Sequence, residues 1–166
     1  MIKLSAVLGA ILLVGACAPA QSRSGSGSSG VAVVPDTLIG VVSETGADPA
    51  TYMAVKPNSG SASMRLTGDG ATTLRAISNA EVWLSGARAS DGFRVDAFEV
   101  RRANNLAVDD GIVSVSAAKV FLRTRSGAQR EIPDAPPALM ALSGARIWVT
   151  RPVANQAPSY GVIQKP

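Results

Sequence analysis

One passage of this chain occurs twice, and that constrains the fold more than any other feature. Leu74-Arg75-Ala76-Ile77-Ser78-Asn79-Ala80-Glu81-Val82-Trp83-Leu84-Ser85 aligns without a gap to Leu139-Met140-Ala141-Leu142-Ser143-Gly144-Ala145-Arg146-Ile147-Trp148-Val149-Thr150. Leu, Ala, Ser, Ala and Trp are identical at matching positions, and both tryptophans of the protein fall at equivalent places. Upstream, Gly40-Val41-Val42-Ser43 matches Gly111-Ile112-Val113-Ser114 at a slightly larger offset, as a shorter hairpin in the second copy would produce. Downstream, Val95 to Glu99 corresponds to Tyr160 to Gln164. Self-similarity of this kind defines the structural unit, because what one copy folds into the other must be able to adopt.

The local signals within the unit are those of strands. Leu38 to Ser43 is compact and β-branched, and Tyr52 to Lys56 and Ser61 to Leu66 flank the turn chemistry of Asn58-Ser59-Gly60. Gly68-Asp69-Gly70 breaks the pattern, and Asp69 is placed to cap a short helical turn with Leu74 and Ile77 on one face. Ala80 to Leu84 alternates. After the hairpin signal Asp91-Gly92, Phe93 to Arg101 alternates with Phe93, Val95, Ala97 and Glu99 on one face. The second helical turn has Asp134 as cap, Pro136 and Pro137 at its start, Leu139 and Leu142 on one face, and Gly144 as terminator.

Three strands, a helical turn and two strands is the element order of the OB-fold, a five-stranded Greek-key barrel. The stretch Thr37 to Lys165 resembles small periplasmic OB-like domains in that order and in the helix-to-strand passage from Leu139 to Val149, matched more loosely by Leu74 to Leu84. The resemblance implies an all-β fold of two tandem five-stranded OB-like small barrels, or one barrel or sandwich core shared by both copies, each copy carrying a short helical turn. The second copy is short for a free-standing barrel, which keeps the shared core open. The expected organisation is a signal peptide at 1–16, a lipidated cysteine and flexible Ser/Gly linker at 17–30, a first repeat at 31–105 and a second at 106–166.

The leader reading rests on the N-terminus. Lys3 precedes an apolar run from Leu4 to Gly15. That run is shorter than the roughly 20 residues that span a bilayer but suits a signal-peptide core. Val14-Gly15-Ala16-Cys17 resembles the lipobox of bacterial lipoproteins, which implies cleavage before Cys17 and acylation of that residue. Cys17 is the sole cysteine. Two or three acyl chains on it would make attachment effectively permanent, since each buried methylene contributes about 0.8 kcal/mol. Ala18 follows, not the aspartate that resembles an inner-membrane retention signal. The expected location is therefore the outer membrane of a two-membrane cell, facing the periplasm or the surface. Ala18 to Gly30 is dominated by Ser, Gly, Gln and Ala and reads as a spacer.

Composition narrows the chemistry. The chain has no histidine. Cysteine- and histidine-based nucleophilic or acid/base catalysis is therefore excluded beyond the anchor, and the usual transition-metal sites lose their commonest ligand. No cofactor or metal is expected. The formal charge of +4 is mildly basic and compatible with a solvated surface or weak attraction to polyanions. Asp109-Asp110-Gly111 and Asp91-Gly92 read as turn chemistry. Lys56 and Lys119 leave a Ser-Lys dyad formally possible, but no pair stands out.

Two features could carry binding. Trp83 and Trp148 read first as structural, covering a barrel end or meeting between repeats; the alternative is an exposed stacking platform. The strand Lys119 to Arg125 places Phe121, Arg123 and Arg125 on one face, a pattern shared by solvated strands and by polyanion grooves. The expected function is a non-enzymatic envelope module that binds or scaffolds another envelope protein or a cell-wall polymer, with an acidic oligosaccharide or other polyanion as the alternative ligand. Nucleic acid is not expected outside the cytoplasm.

Overall fold

The computed structural model describes residues 36–151 and 157–166. The leader, Cys17 and the spacer inferred from sequence lie outside the described residues. Within them the fold is all-β. In chain order the elements are β1 (Asp36–Thr45), β2 (Tyr52–Pro57), β3 (Met64–Thr67), α1 (Asp69–Thr73), a 3₁₀ turn (Leu74–Ile77), β4 (Glu81–Ala89), β5 (Gly92–Ala103), β6 (Leu106–Ser116), β7 (Lys119–Thr124), β8 (Gln129–Glu131), α2 (Pro137–Met140), β9 (Arg146–Thr150) and β10 (Tyr160–Gln164).

Strand alternation sets the inside. β1 buries Leu38, Gly40 and Val42 and turns Ile39 and Val41 outward, and β4 buries Val82 and Leu84 while Trp83 faces away from them. β5 departs from simple alternation. Its register with β4 jumps from Ser85↔Ala97 to Gly86↔Val95, leaving Asp96 unopposed. This bulge flips the parity, so Phe93, Val95, Phe98 and Val100 are all buried. The expected grouping of Phe93 and Val95 with Ala97 and Glu99 is thereby corrected.

The helical turns fall where expected, but their caps differ. Gly68 occupies the N-cap position of α1 and Asp69 lies in the first turn. Pro136 occupies the N-cap position of α2, and Asp134 sits earlier in the loop at φ +50°. Neither aspartate caps by side chain.

In the first half β1 pairs with β2 and β4, β4 with β5, β5 in parallel with β3 and β3 with β2. These pairings return to their start, although β3 meets β5 only at Leu66↔Phe93 and Thr67↔Arg94. In the second half β6 pairs with β7 and β9, β7 with β8 and β9 with β10. Among the described residues β8 and β10 do not pair with each other. The β1–β2 connection spans Gly46 to Thr51, whereas β6 and β7 are joined by Ala117-Ala118 alone, both at positive φ, as a tight hairpin turn of the primed type requires.

Two clusters of buried side chains form. The first contains Val42, Val55, Leu74, Val82, Leu84 and Phe93, and Ile163 and Trp148 pack onto it from the second half. The second contains Val113, Val120, Leu122, Ile132, Leu139 and Ile147. β6, β9 and β10 therefore work on both faces: Val113 and Ile147 fill the second core, while Val108 and Ile163 are buried in the first.

The halves are locked by a charged pair. Arg146 donates from Nε to Asp110 Oδ1 at 2.8 Å and from Nη2 to Oδ2 at 2.7 Å. The Val100 N–H donates to Asp110 at 2.9 Å, and the Phe98 carbonyl accepts from Arg146 at 2.7 Å. These two backbone groups lie on the edge of β5 beyond the reach of β3, so the pair substitutes for a missing neighbouring strand and leaves neither group bare. Asp109-Asp110-Gly111 is thus not a turn but the middle of β6. The backbone glycine there permits close packing, since a Cβ on Gly111 would collide with the Arg123 carbonyl oxygen.

Candidate binding cleft

Where the halves meet, a cleft of about 530 Å³ opens between β5 and β6–β7, lined by Ala97, Phe98, Ile112, Arg123, Arg125 and Arg146 among others. Arg123 belongs to β7, and Arg125 follows it at the turn into β8. Arg125 crosses to the first half and lies over the Trp83 ring, its Cζ 5.0 Å from the centroid, a cation–π arrangement. Arg146 stacks likewise on Phe98 at 4.1 Å, but its charge is spent on Asp110.

The charges around the cleft are unevenly matched. Asp96 is engaged by Arg94 at 3.2 Å, Glu99 by Arg101 at 3.9 Å and Asp110 by Arg146. Asp109, on the opposite face of β6, holds Arg130 and, at 3.1 Å, Arg151. Among the described residues neither Arg123 nor Arg125 has a carboxylate partner. Two forked cationic donors with no ion-pair partner among the described residues are therefore presented to a cleft that Asp96 and Asp110 also line.

Trp83 itself lines a separate hollow of about 390 Å³, with Ile39, Asn58, Ser59, Ser61 and Arg88. Arg88 is held there by Asp36. The Arg88 guanidinium, with the Thr37 N–H, keeps the Asp36 carboxyl below the usual aspartate range. Ile39 lies directly across from Trp83 and is 40% exposed.

The sequence-predicted residues thus separate. Trp83, Arg123 and Arg125 converge. Phe121 is half-buried on β7 opposite Ser114 and Glu131 and does not line the cleft. Trp148 is half-buried against the first core, with its indole so close over Gly161 that a Cβ there would collide with it. Neither tryptophan is fully buried: Trp148 packs against the first core, and Trp83 lies outside the cleft lining but carries Arg125, which does line it. Asp110 and Arg146 carry the cleft's geometry and were not singled out. A signal existed, because where the two similar passages and the strands before them are aligned, Asp110 and Arg146 stand opposite Ile39 and Glu81.

Among the described residues no group of three or more Asp, Glu or Cys side chains gathers where a metal ion could sit, and no helix is long and apolar enough to cross a membrane. The chain matches no family model, curated protein or solved structure.

Proposed function

We propose that this chain is a non-enzymatic binding or scaffolding module, built from two OB-like units and tethered through lipid on Cys17 to the outer membrane of a bacterial envelope. The observation that carries the binding reading is the cleft between the halves, where Arg123 and Arg125 stand without acid partners beside Trp83. Such uncompensated charge is costly to concentrate and is explained by a ligand that neutralises it.

The two-unit reading is supported by contacts that recur at aligned residues. The Val42 N–H donates to the Ala80 carbonyl and the Asn79 N–H to the Val42 carbonyl; Val113, Ala145 and Gly144 make the same two bonds. Asn79 and Gly144 share positive φ. Gly40 sits opposite Val82, and Gly111 opposite Ile147. Leu74 and Leu139 are both fully buried. Across β4 and β9 the pairing equates Phe98, not Val95, with Tyr160. The circuit of pairings in the first half supports an OB-like unit, and we read the second half as the same plan with β8 and β10 unpaired among the described residues.

The non-enzymatic reading draws on how the candidate groups are used. Asp109 and Asp110 point to opposite faces and are each bound by arginine, and Lys119 is paired with Glu131 at 3.0 Å. The tether and location rest on the lipobox and on Ala18.

Crosslinking in native membranes, followed by affinity capture and mass spectrometry, tests both parts. The expected result is an acylated N-terminal Cys17 peptide and recovery of a specific envelope protein or wall polymer. An unmodified N-terminus beginning beyond Cys17 would end the lipoprotein reading, and turnover of an envelope substrate by the purified chain would end the non-enzymatic one. A second reading, binding of an acidic oligosaccharide or other polyanion, is favoured by the stacking of Arg125 on Trp83.

A further inference from the structure

We infer that the cleft at Arg123, Arg125 and Trp83 is a site for an acidic oligosaccharide whose carboxylates are taken by the two arginines and whose sugar rings run past Trp83 into the neighbouring hollow. This assignment rests on the binding-module reading and gives it a ligand class.

The arginines supply the anion specificity. A guanidinium is a planar fork of donors that matches a carboxylate in two parallel hydrogen bonds. Stacking on Trp83 at 5.0 Å holds the Arg125 fork in place and lowers the entropy lost on binding. Of the acids that line the cleft, Asp110 is held by Arg146 and Asp96 meets Arg94 at 3.2 Å, and neither is paired with Arg123 or Arg125.

The surroundings favour a sugar over other polyanions. Trp83 borders both the cleft, through Arg125, and the hollow lined by Asn58, Ser59 and Ser61. A linear ligand anchored on the paired cations would extend past the indole toward the hollow, where Ser59 and Ser61 bond each other at 3.0 Å and Asn58 donates to Glu81 at 3.0 Å, leaving hydroxyl lone pairs and the Asn58 carbonyl for sugar hydroxyls. Single-stranded nucleic acid is read by successive aromatic platforms along a basic groove. This path has one, and its far end carries the Glu81 carboxylate, which accepts from Asn58 at 3.0 Å, and the Arg88–Asp36 pair, so a charge on every linkage would be repelled there. Ile112, 39% exposed, supplies an apolar patch in the cleft on which the less polar face of a pyranose can rest.

The test uses the full chain in detergent micelles and a tetramer of galacturonate as probe, with its methyl ester and an oligothymidylate as controls, by titration calorimetry and indole emission. The tetramer should bind, and Arg123→Gln and Arg125→Gln should each weaken binding about tenfold or more, the loss of a charge-assisted hydrogen bond. Arg125→Lys, which keeps the charge and loses the fork, should fall between. The methyl ester should bind at least as poorly as the glutamine variants. The emission change should vanish in Trp83→Phe and persist in Trp148→Phe. Absence of tetramer binding, or binding indifferent to both arginines, overturns the assignment, as does oligothymidylate binding equally well through the same arginines. If the tetramer fails while crosslinking still recovers a specific envelope partner, the ligand class falls and the binding module stands. If crosslinking recovers nothing and the tetramer fails too, both fall.

Discussion

Removing the Asp110 carboxylate should uncouple the two halves. Asp110 has a side chain 3% exposed and accepts two hydrogen bonds from Arg146 and one from the Val100 N–H. In Asp110→Ala the guanidinium keeps only the Phe98 carbonyl, and Val100 has no acceptor. Breaking a buried pair from one side typically costs about 3–5 kcal/mol. The Arg146 side chain is 26% exposed, so water can reach it in part, which places its share at the low end, about 3 kcal/mol. The bare Val100 N–H adds on the order of 1 kcal/mol. About 4 kcal/mol is a large part of the roughly 5–15 kcal/mol that holds a domain folded. Urea unfolding followed by indole emission is the assay, since Trp148 sits at the junction. The midpoint should fall steeply, and the single transition should broaden or split as the second core loses its hold on the first. The double variant Asp110→Leu with Arg146→Met should lose less than Asp110→Ala, because it strands no charge, although both backbone groups then lack partners. A midpoint shift worth under about 0.5 kcal/mol, the scale of ordinary surface substitutions, would refute the structural role of the pair. A double variant less stable than the single one would refute the argument that the stranded charge dominates.

Three further outcomes follow from the same geometry. Trp148→Ala should cost about 2–3 kcal/mol, below the range for a fully buried tryptophan, and more than Trp83→Ala, which loses mainly an outward wall and the Arg125 stack; equal thermal shifts would contradict this order. Gly40→Ala and Gly111→Ala should each destabilise by about 1–3 kcal/mol, read from denaturant midpoints, since the new methyl meets the Lys56 or Arg123 carbonyl oxygen. Arg88→Gln should raise the Asp36 pKa toward the ordinary aspartate value, as followed by carboxyl NMR titration. The folded pKa is depressed, so the Arg88 contribution is present above the ordinary value and lost as pH falls through the folded one; a destabilisation by Arg88→Gln that persisted unchanged in strong acid would count against it.

Most of the strands and both helical turns were legible because alternation and turn chemistry act locally. Spacing put Leu38 with Val42 and Val82 with Leu84 on one face of a strand, but alternation does not say which face is inside; the structure buries these faces. The similarity of the two passages was legible too, and their aligned residues make matching backbone bonds, Val42 with Asn79 and Ala80 and Val113 with Gly144 and Ala145. What sequence could not decide was everything set by one half acting on the other. The bulge at Asp96 shifts the whole parity of β5, and a period-two reading has no means of locating an inserted residue. Asp110 looked like turn chemistry because aspartate before glycine usually is; only the β5 edge, left bare where β3 ends, makes a strand carboxylate the best partner for Val100. Trp83 and Trp148 align in sequence yet differ in use. The face that carries Trp148 is packed against the first core, while the face that carries Trp83 meets solvent and an arginine from the other half. Local pattern fixes which way a side chain points, and only tertiary packing fixes what it meets there.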